Sequence, residues 1–129
     1  MTSIYSIQNW LNEFERVVNA RDYEQGLSMY GKSAVMFGTR VVTSSDVHEY
    51  AEKQWRLIWN SSHNFKFSNI VQVIELEDLK TCAVLWTNTT VIGKKVDLRM
   101  GRATFIFQKY DRGLVAVHSH FSESPVNSH

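Results

Sequence analysis

The sequence of 129 residues predicts one α+β domain, with three helices in its first half packed on a mostly antiparallel sheet. Three observations carry this prediction. Apolar residues recur with a helical period as far as residue 59, and from Asn64 onward they recur with the period of two that is typical of strands. The length is close to the commonest domain size, and 43% hydrophobic residues are enough for one core.

The helices are predicted from apolar stripes and from capping residues. Residues 7–18 carry one apolar stripe, which indicates a first amphipathic helix. Asp22, with a glutamine three residues later, is typical of a helix N-terminus and predicts a short second helix that ends at Gly31. Asp46, with a glutamate three residues later, predicts a third helix that is closed by residues 60–62.

The strands follow from alternation and from turn signals. A short strand over residues 34–38 separates the second and third helices. Four long strands are predicted as an antiparallel meander, at residues 66–76, 80–92, 95–109 and 113–122. We therefore expect residues 1–125 to form a single domain and residues 126–129 to form a flexible tail.

Composition excludes several classes of function. Fourteen Lys and Arg residues balance 13 Asp and Glu residues without a basic stripe, so no nucleic-acid partner is predicted. No apolar run reaches the length of a membrane span, and no secretory leader precedes the domain, so no membrane role is predicted. Cys82 is the only cysteine and lies in an apolar strand, which indicates a core thiol and a reducing, cytoplasmic location.

A polar cluster on the last two predicted strands is the candidate site. Alternation places a cation, two imidazoles and two hydroxyls on one face of the sheet, and such groups are costly to bury without a purpose. The members of this polar cluster are Arg102, Thr104, His118, His120 and Ser122.

The two histidines leave three roles open. His118 and His120 could be satisfied by hydrogen bonds within the protein, could act as general acid and base, or could ligate a metal. A metal would need another ligand, and Glu123 has the opposite parity on the strand, so neither a metal nor a cofactor is predicted.

Arg102 needs a partner if it lies inside a cavity, because a guanidinium is always charged. A ligand carboxylate could supply the counter-charge in a bidentate pair. The alternatives are an ion pair with Glu13 or Glu52 on the helices, or a side chain that extends to solvent.

Aromatic residues could line a pocket or belong to the core. The candidates for the lining are Tyr30, Trp55, Trp59 and Trp86. Trp86 is the strongest of them, because alternation gives it the same face as Arg102 and His118. The opposite face, with Ala103, Phe105 and Phe107, is more uniformly apolar, and a second copy of the chain is the expected cover for it.

The end of the chain resembles a known family. Gly101-Arg102-Ala103-Thr104, then Val117-His118-Ser119-His120-Phe121-Ser122 and Pro125, is similar to the ending of the SnoaL-like branch of the NTF2-like (cystatin-like) superfamily. That superfamily includes ketosteroid isomerase and the association domain of calcium/calmodulin-dependent protein kinase II. The resemblance implies a cone of helices on a curved sheet, a homodimer through the open sheet face, and a pocket that the polar cluster faces.

The resemblance also bears on activity. Ketosteroid isomerases carry a carboxylate base at the end of the first strand, where this chain reads Met36-Phe37-Gly38-Thr39-Arg40 and has no acid. Steroid isomerisation by that route is therefore not expected, and Met36 is counted with the ligand-binding candidates.

Two functions remain open at this point. The first is a binding or oligomerisation module whose pocket holds an unknown small molecule. The alternative is a cofactor-independent acid–base enzyme, an isomerase, dehydratase or cyclase, acting on a small apolar or carboxylate-bearing metabolite. In that enzyme His118 or His120 would move the proton and Arg102 would hold the oxyanion, while Thr104 and Ser122 would contact the ligand.

Overall fold

The computed structural model describes residues 4–125 and confirms the predicted α+β class. The tail predicted for residues 126–129 lies outside the described residues. Among the described helices, none combines the length and the apolar character that a membrane span needs.

The first helix coincides with its predicted apolar stripe, and the second begins at the capping residue that the sequence indicates. Helix α1, Ile7–Ala20, ends at Arg21, which adopts a left-handed conformation with φ of 56°. Helix α2, Tyr23–Ser28, begins where Asp22 accepts a hydrogen bond from the backbone N–H of Gln25. The predicted end at Gly31 is wrong, because the chain has already entered a strand at Tyr30.

The third predicted helix is continuous but contains a π-helical turn. Helix α3, Val47–Tyr50, leads into the π turn, Ala51–Trp55, and then into helix α4, Arg56–Trp59. A π turn places an extra residue in the helical ladder, and such turns are frequent at functional sites. Here the turn buries Gln54 and Trp55 on the side that faces the sheet.

The sheet has five strands in the order β1-β5-β4-β3-β2. Strand β1 is longer than predicted and pairs in parallel with β5, whereas the other neighbours are antiparallel, as predicted for the meander. The strands are β1 Tyr30–Phe37, β2 Ser62–Glu75, β3 Leu79–Ile92, β4 Lys95–Tyr110 and β5 Gly113–Glu123.

The helices cover the face of the sheet with Ala103, Phe105 and Phe107, so the expectation that a second copy of the chain covers this face is wrong. Trp10 of α1 packs edge to face on Phe105 and Phe107 of β4, with ring centroids 5.0 and 4.9 Å apart. The more uniformly apolar face is therefore the core, as the hydrophobic effect favours. We call this helix-covered face the inner face and the opposite one the outer face.

The sequence analysis placed Trp86 on the same face as Arg102, and the register between β3 and β4 shows that this is wrong. Trp86 pairs with Gly101 rather than Arg102, so its side chain lies on the inner face and that of Arg102 on the outer face. The indole occupies the space in which a Cβ on Gly101 would stand, and its Nε1 donates a hydrogen bond to the Arg102 carbonyl at 3.1 Å. Glycine at position 101 thus permits this packing.

Candidate functional site

A cavity of about 370 Å³ opens between the third helical segment, residues 47–59, and the inner face of the sheet. This volume falls at the lower end of the range for small-molecule sites. Its apolar wall consists of Phe14, Trp55, Trp59, Phe65, Trp86 and Phe121. Trp55 and Trp59 are stacked on each other, with ring centroids 4.5 Å apart.

The π turn fixes one side of the cavity. The side chain of Gln54, which is buried, accepts a hydrogen bond from the backbone N–H of Arg40 at 2.7 Å and donates one to Thr39 Oγ1 at 2.8 Å. Gly38 lies so close that a Cβ there would stand 2.6 Å from the Gln54 oxygen. The loop of residues 38–40 is therefore held against the helix, with Thr39 and Arg40 at the cavity.

Tyr50 also lines the cavity, one residue before the π turn. Burial raises the pKa of Tyr50 well above its ordinary value, and the nearby Tyr30 raises it further. The hydroxyl keeps its proton, which it donates to the carbonyl of Phe37 at 3.5 Å, and its oxygen can accept a hydrogen bond.

Asn88 is the buried polar residue in the sheet wall. It follows Trp86 by two residues on β3, so both side chains point to the inner face, and Asn88 is only 3% exposed. Its Nδ2 donates to Ser62 Oγ at 2.8 Å, while its Oδ1 is buried and accepts no hydrogen bond from any described residue.

The rim of the cavity carries charge. Arg99 Nη1 and Glu123 Oε1 form an ion pair at 2.7 Å, and both side chains are partly exposed. Arg40 also lies at the rim. Two cations and one carboxylate leave this rim with a net charge of +1.

Three predicted lining residues, Trp55, Trp59 and Trp86, are at the cavity. Tyr30 and Met36 are not. Tyr30 is buried, donates its hydroxyl hydrogen bond to Ser119 Oγ at 2.9 Å, and borders a separate, more open depression near α2. Met36 is fully buried in β1, so both residues belong to the core rather than to the cavity wall.

The structure places the polar cluster on the outer face, away from the cavity. Arg102, Thr104 and His120 are exposed, and His118 and Ser122 are half-buried. The prediction that these five side chains face a pocket under the helices is wrong. Its physical reason is parity: their neighbours on the same strands, such as Ala103 and Phe105, occupy the core.

Both outer-face histidines contact residues of β1. His118 Nδ1 lies 2.7 Å from the carbonyl oxygen of Val35, and because a carbonyl only accepts, Nδ1 carries the hydrogen. Phe37 packs edge to face on both His118 and His120, with ring centroids 5.1 and 5.4 Å away. The geometry fits a role in holding β1 to β5.

Arg102 has neither of the internal partners that the sequence offered. Its Nε donates to Ser122 Oγ at 3.3 Å, whereas Glu13 pairs with Arg16 and Glu52 pairs with Arg56. The guanidinium is exposed, in agreement with the alternative of a side chain that extends to solvent.

The sequence analysis missed most polar residues of the site, among them Thr39, Arg40, Tyr50, Gln54, Ser62, Asn88 and Arg99. It named Glu123 only as a residue of opposite parity to the histidines, and this parity is what brings Glu123 to the cavity. Asn88 had a readable signal, since it shares its parity on β3 with Cys82, Val84 and Trp86.

Metal ligation finds no support in the described part of the chain. Residues 4–125 contain no group of three or more His, Cys, Asp or Glu side chains that could hold an ion together. The cavity instead combines aromatic rings with a few fixed polar atoms, an arrangement that suits a flat apolar molecule with a small polar edge.

Comparisons with solved structures identify the fold. An NTF2-like superfamily protein from Salmonella enterica serovar Typhimurium superposes with a TM-score of 0.80 at 15% identity, over 95% of this chain and 94% of that one. A ketosteroid isomerase-like protein from Erwinia carotovora atroseptica gives 0.79 at 15% identity, over 92% and 95%. The CaMKII hub of S. rosetta gives 0.74 at 14% identity, over 92% and 94%.

The chain therefore has the NTF2-like, cystatin-like fold that its ending resembles. No family model matches the sequence, and no curated protein matches it either. At these identities the similarity establishes the fold, and the function has to be argued from the site itself.

Proposed function

We propose that this protein binds a flat, largely apolar small molecule in the cavity between the third helical segment and the inner face of the sheet. The observation that carries the proposal is the aromatic wall: Trp55, Trp59 and Trp86 surround about 370 Å³ of space. A space of this size would hold about a dozen waters, but its apolar lining favours an organic molecule over water.

Binding fits the cavity better than turnover. The acid–base enzyme considered from the sequence depended on His118 and His120, and both lie on the other side of the sheet. The carboxylate at the rim, Glu123, is engaged by Arg99. Burial moves the pKa of Tyr50 further above physiological pH, so its hydroxyl does not readily give up its proton. The groups at the cavity thus orient a ligand more readily than they move a proton.

We also propose a homodimer through the outer face. This face exposes a row of apolar side chains on β4, with Val96 63%, Leu98 68% and Met100 56% exposed. Contiguous exposed apolar surface of this kind is typical of interfaces. One of the structural neighbours is a kinase hub domain, which supports an assembly role for the fold. The lone thiol of Cys82 is compatible with the cytoplasmic location predicted from the sequence.

The binding proposal is tested with flat two-ring probes. Isothermal titration calorimetry with indole, 2-naphthol and naphthalene is expected to show saturable, one-to-one binding to the wild-type protein. Trp86→Ala removes part of the wall and is expected to weaken binding at least tenfold, provided that circular dichroism shows a native fold. His120→Ala, on the outer face, is the matched control and should leave the affinity within about twofold. Unchanged binding in Trp86→Ala would overturn the proposed site.

A further inference from the structure

Two buried side-chain atoms in the described part of the chain have no hydrogen-bond partner, Trp10 Nε1 and Asn88 Oδ1. They are not equivalent. Trp10 is a donor in the core, packed against the rings of Phe105 and Phe107, and the electron-rich face of a ring accepts weakly from an N–H group. Asn88 Oδ1 is an acceptor, for which a ring face offers nothing.

The hydrogen bonds of Ser62 show which end of the Asn88 amide has no partner. Ser62 has a single hydroxyl hydrogen, which it donates to the carbonyl of Ile58. In this arrangement Ser62 Oγ accepts from the NH₂ end of the Asn88 amide. The oxygen is the end of the amide that has no partner.

The unpartnered oxygen belongs to a residue of the cavity wall. Asn88 lines the cavity together with Trp86 and Ser62, and its side chain has almost no access to solvent. A buried acceptor without a donor lowers the stability of the folded protein, and such atoms in native proteins call for an explanation. The oxygen itself has almost no accessible surface, so a molecule in the cavity that carries an N–H or O–H group can supply the missing donor once the Asn88 side chain turns toward it.

We propose that Asn88 is a specificity-determining residue that selects ligands carrying a hydrogen-bond donor on a flat apolar body. This inference rests on the proposed function and names the class of ligand: heteroaromatic N–H compounds and phenols rather than plain hydrocarbons or compounds that only accept. Trp55, Trp59 and Trp86 would contact the rings, and Asn88 Oδ1 would accept from the edge. A ligand that presents only an acceptor would leave Oδ1 unpaired and adds repulsion.

Indole and benzofuran are a matched pair of probes for this inference. They have the same shape and nearly the same size, and only indole carries an N–H donor. We expect the wild-type protein to bind indole about tenfold more tightly than benzofuran, the ratio that one additional hydrogen bond to a buried acceptor supports. The dissociation constants are measured by isothermal titration calorimetry with each probe alone.

The substitution Asn88→Leu assigns the effect to the residue. It keeps the number and branching of the side-chain heavy atoms and removes the acceptor, so the preference for indole is expected to fall from about tenfold to within twofold, mainly through weaker indole binding. Asn69→Leu is the matched control, because Asn69 is exposed on β2 and pairs with Leu85 on the outer face. It should retain the full preference.

The outcomes separate this inference from the proposed function. Equal affinity for both probes in the wild-type protein, as expected if a water satisfies Oδ1, would overturn the selection by Asn88 and leave the cavity as a binding site. A tenfold preference that persists in Asn88→Leu would overturn the assignment to Asn88. Absence of binding for both probes would overturn the proposed function together with the inference. The wild-type comparison is decisive even if Asn88→Leu does not fold.

Discussion

The inner and outer faces of the same five strands differ in what their side chains can do. The inner face is aromatic, is closed by the helices, and holds its few polar side chains in fixed positions, as Gln54 and the Ser62–Asn88 pair show. The outer face carries the two histidines of β5 and Arg102 beside exposed apolar residues. The imidazole and guanidinium groups that suggested catalysis therefore lie on the face without a cavity.

This difference shows how a cluster of reactive residue types can mislead. Imidazoles and a guanidinium are costly to bury, and this is why they stand on the outer face, where they remain hydrated. The side that can enclose a small molecule is built from rings and amides instead. Position relative to the core, more than residue type, decides which groups a ligand would meet.

A substitution at Gly101 is expected to have the largest effect on the packing of the inner face. A Cβ at this position would overlap the Trp86 indole and the Ser122 carbonyl, so Gly101→Val is expected to lower the free energy of unfolding by about 3 kcal/mol or to prevent folding. Gly31→Ala is the control, because its Cβ would meet its nearest atoms at 3.7 Å. Urea denaturation followed by tryptophan fluorescence measures both. Equal stability of the two variants would contradict the packing of Trp86 on Gly101.

Charge on the exposed row of β4 tests the outer face. If that face joins two copies, Leu98→Lys is expected to convert a dimer of about 30 kDa, twice the 15.0 kDa chain, into a monomer, because it would bury unpaired cations. Val42→Lys changes a loop residue that is 91% exposed and should leave the mass unchanged. Size-exclusion chromatography with light scattering gives the masses. A wild-type monomer at all concentrations would rule out the homodimer.

A buried glutamine beside the cavity and an exposed one on the outer face form a matched pair. Gln54→Ala removes two hydrogen bonds to the loop of residues 38–40 and is expected to lower the free energy of unfolding by about 1–3 kcal/mol. Gln72 is exposed on β2, and Gln72→Ala should change stability by less than about 0.5 kcal/mol. Thermal and urea denaturation of both variants provide the comparison. A neutral effect of Gln54→Ala would mean that the loop is held by other contacts.

A change to alkaline pH is expected to have the smallest effect on the free energy of unfolding. Burial raises the pKa of the Tyr30 hydroxyl above its ordinary value, and it raises the pKa of the Cys82 thiol to about 12. These groups ionise in the unfolded chain at lower pH than in the folded protein. The free energy of unfolding is therefore unaffected by these two groups below their ordinary pKa values, roughly 8.5 for the thiol and 10 for the phenol. It declines as the pH rises above those values.

Tyr30→Phe isolates one part of this dependence. Removing the hydroxyl is expected to make the loss of stability between pH 9 and about 11 shallower than in the wild-type protein. Tyr5→Phe is the control, because Tyr5 is half exposed on the surface. Urea midpoints at a series of pH values supply the slopes. Identical slopes for Tyr30→Phe and the wild-type protein would show that the Tyr30 hydroxyl titrates alike in both states.

The sequence was sufficient for the elements and for the fold, because these depend on local periodicity. The apolar stripe of α1, the cap at Asp22 and the four alternating strands were all readable and are confirmed. Strand β1 was predicted too short, since its first residues, Tyr30–Ser33, carry a glycine and polar residues rather than an alternating pattern. Pairing with β5 makes them a strand.

The faces of the sheet were not readable, because they depend on register. Both faces contain apolar residues, so alternation alone does not show which residue of β4 lies opposite Trp86. The sequence analysis assigned Trp86 to the face of Arg102, whereas in the structure Trp86 pairs with Gly101, one residue earlier. The register shift between β4 and β5, at Ile106 and Phe107, reverses parity again within β5. The cavity was beyond prediction as well, since it arises where the π turn and the sheet leave a gap.

Tryptophan indole N–H resonances offer the most direct measurement of where a ligand binds. The chain has four tryptophans, of which Trp55, Trp59 and Trp86 line the cavity and Trp10 lies in the core. In a ¹H–¹⁵N correlation spectrum titrated with indole, the first three N–H signals are expected to shift with one common dissociation constant. The Trp10 signal and the ring signals of His118 and His120 should move little. Shifts confined to the two histidines, with the three cavity tryptophans unchanged, would contradict the assignment of the binding site to the inner face.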